Sequence, residues 1–249
     1  MTSPSIQDMT VRAYADPATL GRAAGMHAAE VLIRALKNKE NVRLMLAAAP
    51  SQELTLATLM ATSGIDWSRI ECFHMDDYLG LPVDAPQGFG NWLERVVFTR
   101  VAPRAFHRIN PAGDPQEEAS RYGLVMGGGS FDLVLCGLGV NNHLAFNDPP
   151  ADFYDTQAAR VIELDEISRR QQVDEGHFGT IQEVPLNAIT VTIPRLLNSE
   201  CIIASVPSRA KRAAAADTLD RPISGAHPGT ALRMHTNSHL YLDADSDPR

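Results

Sequence analysis

The sequence predicts a doubly wound α/β fold, with a mostly parallel, Rossmann-like sheet flanked by helices. Three observations carry that expectation. Short apolar runs alternate along the chain with longer stretches whose apolar residues recur at helical spacing, the pattern of βα units. The central run, Phe131–Leu138, is largely apolar rather than alternating, as a strand covered on both faces must be. Finally, 249 residues of which 44% are hydrophobic are enough to bury a sizeable core, and α/β folds of this size commonly form one domain, here spanning 1–249.

Taken in order, Met9–Tyr14 is the first strand, followed by a helix over Pro17–Leu36. Val42–Ala48 is the second strand. A helix from Ser51 to about Ser63 leads to the strand Ile70–Met75, and Trp92–Thr99 belongs to a further amphipathic helix. Arg104–Ile109 is a weaker strand, Pro115–Met126 a helix, and Phe131–Leu138 the central strand, bounded by Gly127–Ser130 before and Gly139 after. Beyond it, Ala159–Leu164, Ala188–Ile193, Glu200–Ser205 and His239–Leu242 are strand candidates, with a helix over Ser208–Leu219.

A formal net charge of −8 and the lack of a Lys/Arg cluster argue against a nucleic-acid footprint. No apolar run approaches the length that spans a bilayer, and the N-terminus lacks a basic segment followed by an apolar core, so a soluble, cytoplasmic protein is expected. Cys72, Cys136 and Cys201 fall inside apolar strand-like runs without CxxC spacing or His partners at zinc-ligand distances. They read as reduced core residues, and no metal site is predicted.

Three strand-to-loop transitions carry candidate chemistry. In open α/β sheets, ligands sit outside the carboxyl ends of strands. The central strand empties into GLGVNNHLAFNDPP, which places His143 and Asp148 there, although a lone loop His is as often structural. Glu71–Pro82, ECFHMDDYLGLP, ends a strand in two carboxylates and a tyrosine. Adjacent residues of an extended chain point to opposite sides, so Asp76 and Asp77 should play different roles, one facing a pocket and the other solvent or a helix N-terminus. Burial there would raise a carboxylate pKa toward that of a usable base. In Ala47–Leu56, Pro50 and Ser51 fit the first turn of a helix, where unpaired N–H groups suit a phosphate. Neither a Walker nor a dinucleotide glycine pattern occurs.

With these segments in order, the chain resembles the glucosamine-6-phosphate deaminase/isomerase family, relatives of the 6-phosphogluconolactonases. HMDDYLGLP resembles the family's MDEYxGLP, and GLGVNNHLAFNDPP resembles GxGxxGHIAFNEP; AITVTIPRLL and VPSRAKRAAAADTL add support. The resemblance implies that Asp76 is the base moving the substrate's C2 proton, His143 the ring-opening residue, Asp148 the acid serving it, and Lys211 a phosphate ligand. Ser51 and Gln52 would cradle the phosphate, and Arg169 or Arg170 would add an arginine. Asp77, Tyr78, Gly139 and Asn142 would lie beside the substrate.

The reaction so implied converts glucosamine 6-phosphate and water to fructose 6-phosphate and ammonia, without metal or organic cofactor. The partner is a small sugar phosphate. Alternatives are a catalytically weak sugar-phosphate sensor and, with a poorer motif fit, a lactone hydrolase. Several positions depart from the family pattern. Asn141 replaces an Asp that serves the histidine, and Asn142 replaces a Gly, so that turn must tolerate Asn if it needs a positive φ. Asp148 and Asp77 each replace Glu, and the Ala47–Gln52 loop has no glycine. Ala151–Arg160 offers only Arg160 where allosteric members carry a basic cluster, so no activation by N-acetylglucosamine 6-phosphate is expected. Whether the protein is a homo-oligomer stays open.

Overall fold

A computed structural model describes residues 9–249. In chain order its regular elements are β1 (Thr10–Tyr14), α1 (Pro17–Asn38), β2 (Val42–Leu46), α2 (Glu53–Ala61), β3 (Ile70–His74), β4 (Asp76–Tyr78), α3 (Phe89–Leu93), β5 (Ala105–His107), α4 (Pro115–Met126), β6 (Leu133–Cys136), β7 (Ala159–Glu163), α5 (Glu166–Asp174), β8 (Asn187–Val191), α6 (Ile193–Leu197), β9 (Ile202–Val206), α7 (Arg212–Asp220) and β10 (Ser238–Asp243). Seven strands form one parallel sheet in the order β1-β10-β9-β6-β2-β3-β5.

The inner strands of this sheet are apolar on both sides because helices cover both sides. Leu44 and Leu46 of β2 and Leu133 and Leu135 of β6 join Leu20, Ala24, Ala28 and Leu32 of α1 in one buried cluster. The alternate residues Met45, Val134 and Cys136 join Tyr122 and Met126 of α4 and Ala214 and Ala215 of α7 in the other. Successive side chains on a strand point to opposite faces, so a continuous apolar run is what two covered faces require. All three cysteines are free and buried. Local chemistry starts α1 where expected: the Asp16 side chain accepts from Thr19 N at 2.7 Å, and Pro17 occupies the first turn. No helix of the described residues is long and apolar enough to cross a membrane.

Strand and helix positions follow the sequence reading to within a few residues, apart from the short elements β4 and α6, which it did not foresee, and three larger differences. First, Ala159–Leu164 and Ala188–Ile193 do not join the parallel sheet; β7 and β8 pair antiparallel with β4 in a separate sheet of order β4-β8-β7. Periodicity identifies a strand but not its partner. Second, the helix expected from Trp92 begins at Phe89 and continues as a π-helical stretch over Glu94–Phe98. Its first amides are held by a side chain twelve residues earlier, Asp77, a cap that local sequence does not display. Third, α5 was not foreseen as a helix: EISRRQQVD offers only Ile167 and Val173 as apolar markers of period.

The neighbours β2 and β6 stand at the switch point of the sheet, where the chain order turns outward in both directions. Loops leaving their carboxyl ends therefore diverge and leave a crevice between them.

Candidate active site

That crevice is lined by the ends of three strands and one face of α5. Ala47, Ala48, Ala49 and Ser51 follow β2; Met75 and Asp76 follow β3; Gly137, Leu138, Gly139 and His143 follow β6. Gln171, Gln172 and Glu175 from the end of α5, with Lys211, close another side.

Asp76 is buried, and its carboxyl has no hydrogen-bond partner among the described residues, so the group is available to whatever enters. Burial, with a smaller contribution from neighbouring Asp77, pushes its pKa well above the usual carboxylate range. Asp77 turns the other way, as the extended backbone requires. Its Oδ1 accepts from Tyr78 N and Phe89 N and its Oδ2 from Gly90 N, all at 2.9 Å. Burial raises Asp77 to about 6 even against these three donors.

His74 fixes the bend between β3 and β4. Ile109 N donates to His74 Nε2 at 3.0 Å, so the ring proton sits on Nδ1 and is donated to Asp76 O at 2.9 Å. Burial depresses this imidazole to about 3, keeping it neutral. Tyr122 completes the clamp, its hydroxyl accepting from His74 N and donating to His74 O. Sequence reading missed both residues; the signal was a His in an apolar strand two residues before the acid pair.

His143 is held from behind. Its Nδ1 lies 2.8 Å from Ser168 Oγ and 3.1 Å from Asp148 Oδ1, and Ser168 Oγ donates in turn to the same carboxylate oxygen. With the proton on Nδ1, Nε2 is the free nitrogen on the ring that lines the crevice. Asp148 also accepts from Asn141 Nδ2 at 2.9 Å and, on Oδ2, from Asp165 N at 3.1 Å. Burial alone would raise Asp148, but the histidine, Ser168 and Asn141 outweigh it and bring the carboxyl down to about 2. Asn141 thus steadies Asp148 rather than the imidazole ring. Gly139 is required by close approach: a Cβ there would lie 2.2 Å from the ring of His143.

Asn142 adopts φ 72°, the left-handed conformation that Asn tolerates best among larger residues. Its side chain does not face the crevice. It donates to Ala214 O and Thr218 Oγ1 and accepts from Gly229 N, each at 2.7 Å, tying the histidine loop to α7. Four other predicted residues also stand off. Tyr78 is buried behind the wall, donating to Gln172 Oε1 at 2.6 Å. Gln52 donates to Ser51 Oγ and Ser205 O, both at 3.1 Å. Arg169 donates to Ile181 O and Val184 O, and Arg170 pairs with Glu166 on the exposed face. Instead of an arginine, α5 brings Ser168, Gln171, Gln172 and Glu175 to the crevice side. That spacing is one helical stripe, and Arg169 and Arg170 fall out of phase with it.

Among the described residues one group has metal-ligand composition: donor atoms of His27, Cys201 and His239 lie within 4.8 Å of one another. Both nitrogens of His239 are engaged, by Arg12 and Asn237, and Tyr241 Oη occupies His27 Nδ1. A guanidinium already bonded to the ring opposes a cation there.

A parallel sheet with a switch-point crevice thus brings together a buried carboxylate at the end of β3 and a carboxylate-backed histidine after β6. Residues 15–241 match the model of the glucosamine-6-phosphate isomerases/6-phosphogluconolactonase family, and the chain belongs to that family. Among its relatives are a glucosamine-6-phosphate deaminase of Hahella chejuensis, 28% identical over 224 residues covering 88% of this chain and 84% of the relative. Glucosamine-6-phosphate deaminase 1 of Bacillus subtilis is 28% identical over 226 residues, covering 88% and 92%. The structure is similar to that of a monomeric glucosamine-6-phosphate deaminase, with TM-score 0.86 and 26% identity over 96% of this chain and 98% of that one. A 6-phosphogluconolactonase from Trypanosoma brucei shares the fold, with TM-score 0.77 at 16% identity.

Proposed function

We propose that the chain is an enzyme catalysing cofactor-independent isomerisation and deamination of an aminosugar phosphate, with glucosamine 6-phosphate and water giving fructose 6-phosphate and ammonia. The observation that carries this reading is the pairing, in one crevice, of an unpartnered buried carboxyl at Asp76 with a His143 whose Nδ1 is held by Ser168 and Asp148.

In this mechanism His143 relays the proton from the C1 hydroxyl to the ring oxygen, opening the sugar to an aldehyde. The Asp148 carboxylate stabilises the ring while it carries the extra proton. Asp76 then takes the C2 hydrogen and keeps it for C1; the electron pair forms the C1–C2 double bond and O1 gains, through His143, the proton that the substrate's ammonium group gives up, giving an enolamine. Proton delivery to C1 gives an iminium at C2, water adds there, and ammonia leaves. Ser51 and Lys211 are the polar crevice residues available to the far end of the substrate. Similarity to the deaminases supports this reading over lactone hydrolysis, because the lactonase neighbours share only the fold.

The test is ammonia release from glucosamine 6-phosphate coupled to detection of fructose 6-phosphate. Turnover should fall by roughly 10²–10⁴-fold in Asp76→Asn. Sugar-phosphate binding without release of ammonia by the wild-type protein would instead mark it as a sensor.

A further inference from the structure

Lys211 and Glu175 form a pair inside the crevice. Glu175 Oε1 lies 3.2 Å from Lys211 Nζ and also accepts from Gln171 Nε2 at 2.7 Å. Both charged side chains are well covered, at 8% exposure for Lys211 and 22% for Glu175. His177 Nε2 stands 3.9 Å from the other carboxylate oxygen. Among the residues lining the crevice, Lys211 is the only lysine or arginine, since Arg169 and Arg170 are committed elsewhere. Its charge is therefore already balanced by a carboxylate. Glu175 also caps the carboxyl end of α5, donating its N–H to Gln171 O, so the helix adds partial negative charge at the same place.

A phosphate monoester carries about −1.5 to −2 charges near neutral pH. Apart from Ser51 and the first turn after β2, a phosphate in this crevice would meet one neutralised lysine, a carboxylate and the negative end of a helix. A hydroxyl meets a matched site: Lys211 donates to it and Glu175 accepts from it, both with charge assistance.

We propose that Glu175 is a specificity-determining residue, and that the crevice takes an aminosugar bearing an uncharged terminal hydroxyl about as well as its 6-phosphate. This rests on the aminosugar reading above and widens its substrate class. Arg169 and Arg170 lie out of phase on the same helix that presents Glu175, so neither compensates for the lost positive charge.

The experiment measures binding, by titration calorimetry, of 2-amino-2-deoxyglucitol and its 6-phosphate, open-chain analogues that lack the C1 carbonyl and are not turned over. Wild-type protein and Glu175→Gln are compared, with melting curves confirming that the variant folds. In the wild type the preference for the phosphate is expected to be less than about ten-fold; Glu175→Gln, which keeps a partner for Gln171, should raise it by about ten-fold or more. A wild-type preference of about ten-fold or more, a smaller rise in the variant, or failure of the wild type to bind either alditol overturns the assignment. Ammonia release from glucosamine and glucosamine 6-phosphate is assayed in parallel. If neither sugar releases ammonia while the alditols behave as expected, the deaminase reading fails and the assignment of Glu175 stands.

Discussion

Asp76 and Asp77 are neighbours in sequence and opposites in environment. Asp77 has three backbone donors, whereas Asp76 has none. A base must be ionised to take a proton, and Asp76 is pushed upward first by burial and then by Asp77. kcat/KM for the aminosugar should therefore rise with pH along a limb lying above the ordinary carboxylate range. Removing the neighbouring charge in Asp77→Asn should slide that limb to lower pH; a limb that stays in place would separate it from Asp76. The two arginines are told apart in the same way. Arg170 is 64% exposed and pairs only with Glu166, so Arg170→Ala should change stability by no more than about 0.5 kcal/mol. Arg169→Ala strips donors from two backbone carbonyls and should cost about 1–3 kcal/mol, read as a lower midpoint in urea.

At the scale of elements, α5 serves the site by phase. Residues Ser168, Gln171, Gln172 and Glu175 share one side, and Asp165 begins the helix by accepting from Ile167 N and Ser168 N. The loop after β6 is fixed at both ends of its turn, by Gly139 beneath the His143 ring and by the Asn142 side chain on α7. Gly139→Ala should therefore displace the imidazole, costing about 1–3 kcal/mol of stability and most of the turnover. Asn142→Ala loses three hydrogen bonds and a residue suited to positive φ; circular dichroism melts should show it less stable than wild type by about 2–4 kcal/mol.

For the whole molecule, linkage sets the acid response. The Asp148 carboxyl lies at about 2, below its usual 3.8, so the folded state favours its ionised form. That contribution is complete above about pH 4 and disappears as pH falls through about 2, a loss of about 2 kcal/mol. In Asp148→Asn the acid limb of a stability profile should flatten by that amount, while His143 loses the carboxylate behind it and turnover drops by about 10²-fold or more.

Much of this was legible without coordinates. The βα alternation, the apolar strands and the delivery of Asp76, His143 and Asp148 to strand ends follow from local periodicity and from turn chemistry at Gly139. The opposite orientation of Asp76 and Asp77 follows from the pleat alone. What lay outside reach were facts about partners. That β4, β7 and β8 form their own sheet, that Asp77 caps a helix twelve residues away, and that Asn141 serves Asp148 depend on elements meeting from distant parts of the chain. So does the pairing of Lys211 with Glu175, separated by 36 residues. The sequence by itself determined which residues stand at strand ends, because backbone geometry and hydrophobic period act within a few residues. Only the tertiary structure decided what each faces, because hydrogen-bond partners and neighbouring charges are chosen by packing across the whole fold.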